Sequence, residues 1–248
     1  MTVYFIGAGP GAPDLLTVRA RDLLALCPVC LYAGSLVPAG IVALARPDAR
    51  VMDTAGLRLE DIVAEFEAAH AQNLDVARLC SGDPSIYSAV HEQAAALNAR
   101  GIPYEVVPGV PAFAAAAAAL KCELTVPGLV QTVILTRTAV NSSPMPAAED
   151  LGRLAESRAT LVLHLSARAL VAVAARLAPH YGGDCPAVIV AFASRPEQRI
   201  VSATLDEIAE RAADAGITRT AVLLVGRALD PAARGRSALY GARARSAS

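Results

Sequence analysis

Lysine is almost missing from this chain. Lys121 is the single one, and arginine supplies the other 21 of its 22 basic side chains. An excess of positive charge is missing too. Net charge is −1; residues 1–122 hold 8 Lys/Arg against 12 Asp/Glu, and residues 123–248 hold 14 against 11. Neither half has the basic surplus that non-specific nucleic-acid binding draws on, so no nucleic-acid partner is expected. No apolar run is long and clean enough to span a bilayer, and the alanine-rich run 112–120 is far too short. The opening stretch, Met1 to Gly7, has no basic region ahead of its apolar residues, unlike a secretory signal. A cytoplasmic protein with no membrane partner is expected.

Paired cysteines and metal-ligand spacings are also scarce. Five cysteines stand at 27, 30, 80, 122 and 185, and an odd count argues against a disulfide framework. Cys27-Pro28-Val29-Cys30 has the C-x-x-C form. A redox pair of that form opens a helix, where the dipole lowers the thiol pKa; this one closes a helix and enters a strand. Buried structural thiols are the expectation, since free cysteine behaves as a small hydrophobe. The four histidines, 70, 91, 164 and 180, show no zinc spacing, and no metal is expected. His164 lies in an apolar strand and reads as a hydrogen-bonded core residue.

What the chain does have is apolar content: 54% of its residues are hydrophobic and 18% charged. That is enough for a buried core in one large domain or two ordinary ones. Short apolar strands alternate with amphipathic helices. Strands are predicted at 3–6, 29–32, 50–52, 75–79 and 104–107, with helices at 17–26, 41–45, 60–72, 88–100 and 112–120. After a pause near Pro127-Gly128 the pattern restarts. Strands are predicted at 131–135, 160–165, 187–193 and 220–225, with helices at 148–157, 167–178 and 205–215 and a polar loop at 141–146. The fold class is therefore α/β, with a parallel sheet covered on both faces in the first half. Two α/β domains are expected, 1–125 and 126–229, followed by a mobile tail over 230–248.

The segment Cys80-Ser81-Gly82-Asp83-Pro84-Ser85-Ile86-Tyr87 follows a strand and precedes a helix. Asp83 suits a helix N-cap, Pro84 the first helical position and Gly101 the C-terminal cap. Such a corner sits at the carboxyl edge of a parallel sheet, where open α/β folds bind ligands. Asp83 as a plain cap and Asp83 as a site residue both fit. Gly7-Ala8-Gly9-Pro10-Gly11-Ala12 has the form G-x-G-x-x-A, but a dinucleotide site is rejected. The helix waits until Thr17, and strand two ends at Tyr32-Ala33-Gly34 with no acid for a ribose. Three loops, 7–13, 81–87 and 108–113, then share one sheet edge. The small residues Ala112, Ala115 and Ala116 leave room beside it, or simply pack tightly.

These segments carry a resemblance. Gly7-Ala8-Gly9-Pro10-Gly11 with Leu15-Leu16-Thr17, Gly82-Asp83-Pro84, and Val107-Pro108-Gly109-Val110 resemble, in this order and spacing, the signature segments of the tetrapyrrole methylase family. The resemblance covers about residues 1–229. Tyr32 to Val37, Ser81 to Tyr87, Gln131 to Arg137 and Pro144-Met145-Pro146 resemble one branch, which methylates carbon 11 of precorrin-4 in cobalamin synthesis. The resemblance implies a two-domain homodimer with S-adenosylmethionine as cofactor, held in the cleft between the domains, and a tetrapyrrole substrate. The implied cofactor contacts are Pro10, Ser81, Gly82, Asp83, Ile86, Pro111, Ala112, Leu165, Ala193 and Ala221. Pro111 stands where relatives often have a hydroxyl residue, and Leu165 where they have methionine.

The chemistry asks for alignment of an electrophilic methyl with an electron-rich carbon within about 3–3.5 Å, and for exclusion of water. Asp83 and Arg78 are the candidate catalytic groups; for Arg78 a structural ion pair fits as well. Arg137, Arg195 and Arg199 are candidates for the substrate's carboxylates, which arginine's planar fork matches. Two other readings stay open: the same fold acting on cobalt-precorrin-4, uroporphyrinogen III, another precorrin or a macromolecule, and a non-catalytic ligand-binding partner in the pathway.

Overall fold

The computed structural model describes residues 1–138, 144–164, 167–233, 235 and 237. The chain divides into two compact units, Met1–Ala115 and Ala116–Ser248.

In the first unit the strands β1 (Val3–Gly7), β2 (Val29–Tyr32), β3 (Arg50–Asp53), β4 (Val76–Cys80) and β5 (Tyr104–Val107) form one parallel sheet. Its order is β3-β2-β4-β1-β5. The connections carry α1 (Val18–Leu26), α2 (Ala39–Val42), α3 (Leu59–Ala71) and α4 (Val90–Asn98); α5 (Ala112–Leu120) follows β5 and contains the division between the units. Side chains alternate across the sheet, so each face gets its own core. Phe5, Val29, Leu31, Val76 and Cys80 face Ile62 and Phe66 of α3 and Leu97 of α4. Ile6, Cys30, Ala77, Leu79 and Val107 face Ala20 and Leu24 of α1 and Ile41 of α2. Phe5 meets Phe66 edge to face at 6.3 Å and Tyr104 at 5.8 Å. Thr17 caps α1 as the sequence predicts, its hydroxyl accepting the Ala20 N–H at 3.1 Å.

In the second unit β6 (Val133–Arg137), β7 (Thr160–His164), β8 (Pro186–Ala191), β9 (Arg199–Thr204) and β10 (Ala221–Val225) form a sheet of order β6-β7-β10-β8-β9. Only β6 and β7 run parallel; the other pairings are antiparallel. Leu161, Leu163, Ile189, Leu223 and Val225 pack against Val173 and Leu177 of α7 (Leu170–Tyr181) and Ile208 and Ala212 of α8 (Ile208–Asp214). A short α6 (Leu151–Ala155) is capped by Asp150, which accepts the Gly152 N–H at 2.9 Å.

Several elements depart from the sequence reading. β9 was not anticipated, because its Arg199, Ser202 and Thr204 break the apolar run that marks a strand; it is an edge strand and can be polar. The helix expected at 88–100 starts only at Val90, and neither Asp83 nor Pro84 belongs to it. Its N-cap is Ala89 in the left-handed region, φ 50°, with Tyr87 at φ 53°. Gly101, at φ 65°, does end the chain's turn away from that helix. α7 continues past Ala178 through Pro179 to Tyr181, whose hydroxyl donates to the Ala159 carbonyl at 2.5 Å. Of the expected tail, residues 234, 236 and 238–248 lie outside the described residues, as do 141–143 of the expected polar loop.

Candidate active site

The carboxyl ends of β1, β4 and β5 lie side by side, and their loops are knit together through backbone. Ala8 N–H donates to the Cys80 carbonyl at 2.7 Å. Gly9 and Gly82 then exchange both hydrogen bonds, at 3.1 and 2.8 Å. Both glycines are left-handed, at φ 69° and 68°, where a Cβ is strained. Gly109 closes the set. A Cβ on Gly109 would lie 2.2 Å from the Gly82 carbonyl oxygen, and one on Gly7 would lie 2.5 Å from Gly109 Cα. The glycines of the three motifs are thus needed for one reason: three backbones touch.

Asp83 fastens the same assembly with its side chain. One carboxylate oxygen accepts the Ser85 N–H at 2.8 Å and the Ser85 hydroxyl. The other accepts the Gly109 N–H at 2.8 Å. Burial pushes this carboxyl's pKa up, but the Ser85 hydroxyl, the Gly109 N–H and the Ser85 N–H together bring it below the usual carboxylate value. Asp83 is therefore an anion that staples two loops, and the helix-cap role expected for it is replaced by this one. Its partners Ser85 and Gly109 lay in the quoted motifs, but spacing alone could not pair them.

Pro10 and Gly82 are buried; Ser81, Ile86, Pro111 and Ala112 are half-buried. Arg78 lies on β4, 7% exposed, on the face toward α3 and α4. Its Nε donates to Gln93 Oε1 at 3.1 Å and its Nη1 to Thr54 Oγ1 at 3.0 Å. The ion pair considered for Arg78 is not found among the described residues. Thr54 and Gln93 were missed by the sequence reading, which had no signal linking three distant elements.

In the second unit one sheet edge gathers the remaining positions. Arg137 ends β6 opposite His164; Ala221 begins β10 opposite Ala191; and Arg199 begins β9 opposite the same Ala191. Ala193, 6% exposed, follows β8 in a tight loop with Phe192 and Ser194 left-handed, at φ 52° and 67°. Thr220 and Gln198 hold that loop: the Phe192 N–H donates to the Thr220 carbonyl at 2.8 Å, and the Ser194 N–H to Gln198 Oε1 at 2.7 Å. The Arg195 guanidinium stacks 5.8 Å from the Phe192 ring centroid, within cation–π range. Arg199 Nη1 donates to the Ala215 carbonyl at 2.7 Å, so this side chain serves the end of α8. Arg137 lines a cavity of about 310 Å³ with Met145, Asp150, Leu151, Val173 and Arg176. Leu165 lies outside the described residues. Burial lowers the pKa of His164.

Four of the five cysteines are buried and Cys122 is half-buried. Burial raises Cys27 to about 12 and Cys30 to about 11, as expected of thiols packed in the core. Among the described residues no cluster of three or more His, Cys, Asp or Glu could hold a metal ion, and no helix is long and apolar enough to cross a membrane.

Comparison with known proteins decides the lineage. The family model described as Tetrapyrrole (Corrin/Porphyrin) Methylases matches residues 2–209. The chain belongs to the tetrapyrrole methylase family. Within it, a precorrin-4 C(11)-methyltransferase of Mycobacterium tuberculosis is 60% identical, over 91% of this chain and 90% of that protein. Among solved structures, a cobalt precorrin-4 methyltransferase of cobalamin biosynthesis matches with a TM-score of 0.90 and 40% identity, over 93% of this chain and 96% of that one. A uroporphyrin-III C-methyltransferase of Thermus thermophilus, complexed with S-adenosylhomocysteine, matches with a TM-score of 0.78 and 31% identity, over 93% and 94%. These matches extend over nearly the whole of this fold.

Proposed function

We propose that this chain is an S-adenosylmethionine-dependent methyltransferase that methylates precorrin-4 at ring carbon 11, giving precorrin-5 in cobalamin biosynthesis. The observation that carries the reading is the 60% identity, over nine-tenths of both chains, to a precorrin-4 C(11)-methyltransferase. The cobalt-precorrin-4 and uroporphyrin-III enzymes stand at 40% and 31%, which favours metal-free precorrin-4 as substrate.

The cofactor assignment is supported by the fit of the residues present. Where Gly7, Gly82 and Gly109 meet, backbone packs on backbone and holds the three loops in a fixed arrangement at the sheet edge. The surrounding Pro10, Ile86 and Ala112 are apolar or small, as an adenosyl group requires. S-adenosylmethionine, when bound, supplies an electrophilic methyl on a cationic sulfur. The chain's residues bind and orient. The paired loops at Gly9 and Gly82 fix backbone donors and acceptors at the sheet edge. Asp83, ionised and held by three donors, is a positioning residue; its depressed pKa suits an anion near a cation better than a proton acceptor. Ala193 and Ala221 are assigned as small residues that admit the cofactor to the edge of the second sheet. Arg137 and Arg195 are assigned to substrate carboxylates; Arg199, with its Nη1 on a helix-end carbonyl, is the weakest of the three.

A cytoplasmic homodimer completes the reading. It is supported by cysteines present as thiols, as in a reducing compartment. It is also supported by the exposed apolar side chains Leu36, Leu44, Val51 and Leu57 near the β3 edge. The test is a mass spectrum of the tetrapyrrole after incubation with S-adenosylmethionine. One added methyl on precorrin-4, and none on uroporphyrinogen III, is the expected result. Methylation of uroporphyrinogen III alone would replace this reading with the earlier step.

A further inference from the structure

The buried guanidinium of Arg78 has no counter-charge. A cation taken out of water is costly unless an anion and well-made hydrogen bonds compensate it. Here Nε and Nη1 are met by two neutral oxygens, Gln93 Oε1 and Thr54 Oγ1. Nη2 makes no hydrogen bond among the described residues, and none of their carboxylates is within salt-bridge distance. Thr54 is itself fixed, its hydroxyl donating to the Tyr32 carbonyl at 2.9 Å. Burial alone dominates the downward pull on the Arg78 pKa, with no carboxylate opposing it.

A second observation points the same way. Gln93 belongs to the first turns of α4, a nine-residue helix whose N-cap, Ala89, has no side chain to offer. The free N–H groups there carry the positive end of the helix dipole. A helix start without a side-chain cap and a guanidinium without a counter-charge are thus joined through the Gln93 amide, beside the middle of β4. In the neighbouring loops the Gly109 and Ser85 N–H groups are already matched by Asp83.

We propose that Arg78, with Gln93, Thr54 and the open N-terminus of α4, receives a carboxylate of the tetrapyrrole substrate. This rests on the substrate reading above. A carboxylate of the cofactor's amino-acid end has the same chemistry, so the test separates the two sources. Gln93→Glu is the informative variant. It keeps the side chain's shape and places an internal carboxylate against Arg78, so the fold is retained and the site is filled from within. Arg78→Met removes the cation and is read alongside it.

Steady-state methyl transfer to precorrin-4 and calorimetric binding of S-adenosylhomocysteine are measured for wild type and both variants. The expected result is a KM for precorrin-4 raised about tenfold or more in Gln93→Glu, with S-adenosylhomocysteine affinity unchanged and melting temperature kept or raised. An unchanged KM in folded Gln93→Glu overturns the proposal. So does a parallel loss of S-adenosylhomocysteine affinity, which would give the carboxylate to the cofactor. A wild type that binds S-adenosylhomocysteine but transfers nothing to precorrin-4 overturns the substrate reading and this ligand with it, whereas an active wild type with an indifferent Gln93→Glu overturns the carboxylate site alone.

Discussion

At Asp83 one carboxylate serves donors from two loops, and the consequences can be measured. Asp83→Ala leaves the part-buried Gly109 N–H without its partner, a loss of about 1 kcal/mol. S-adenosylhomocysteine affinity is expected to fall about tenfold or more by calorimetry, with Asp83→Asn intermediate because it keeps an acceptor oxygen. Unchanged affinity in Asp83→Ala would separate the staple from the cofactor site. The pH dependence has a definite sign. Asp83's folded pKa lies below its unfolded value, so its contribution is fully present above the unfolded value, near 4, and is lost as pH falls through the folded one. Cofactor affinity should stay level from neutral pH down to about 5 and drop only in stronger acid. Gly109 gives a steric counterpart: in Gly109→Ala the new Cβ would press on the Gly82 carbonyl, and both stability, by about 1–3 kcal/mol, and cofactor affinity should fall.

The elements show where a sequence is readable and where it is not. The parallel sheet of the first unit was legible because its strands are short apolar runs bounded by Gly, Pro and Asp, and buried strands must look that way. β9 was not, because an edge strand need not be apolar. The start of α4 was misplaced because Asp83-Pro84 has the right chemistry for a helix start, yet Asp83 spends its carboxylate on Gly109, far away in sequence. Spacing reveals local partners and hides distant ones; the same limit hid Thr54 and Gln93 from Arg78. One substitution tests the corrected boundary. If Ala89 were inside a helix, Ala89→Gly would cost about 1 kcal/mol. With Ala89 left-handed at φ 50°, glycine relieves strain, and the melting temperature should hold or rise. Phe66→Ala, by contrast, empties the core under α3, where Phe66 is fully buried against Phe5, and should cost about 3–5 kcal/mol in denaturant unfolding.

For the whole molecule, fold and lineage agree: a parallel sheet with three interlocked glycine loops, a mixed second sheet, and membership of the tetrapyrrole methylases. The meeting of the three loops was legible, since parallel strands deliver their following loops to one edge. The choice of ring carbon was not, because it depends on how a rigid macrocycle is held, and no motif encodes that orientation. The most direct measurement is therefore a carbon NMR spectrum of the product formed from precorrin-4 with methyl-labelled S-adenosylmethionine. A single labelled methyl bonded to ring carbon 11 is the expected result. A labelled methyl on any other carbon, or an unlabelled tetrapyrrole recovered with folded, cofactor-bound protein, would contradict it.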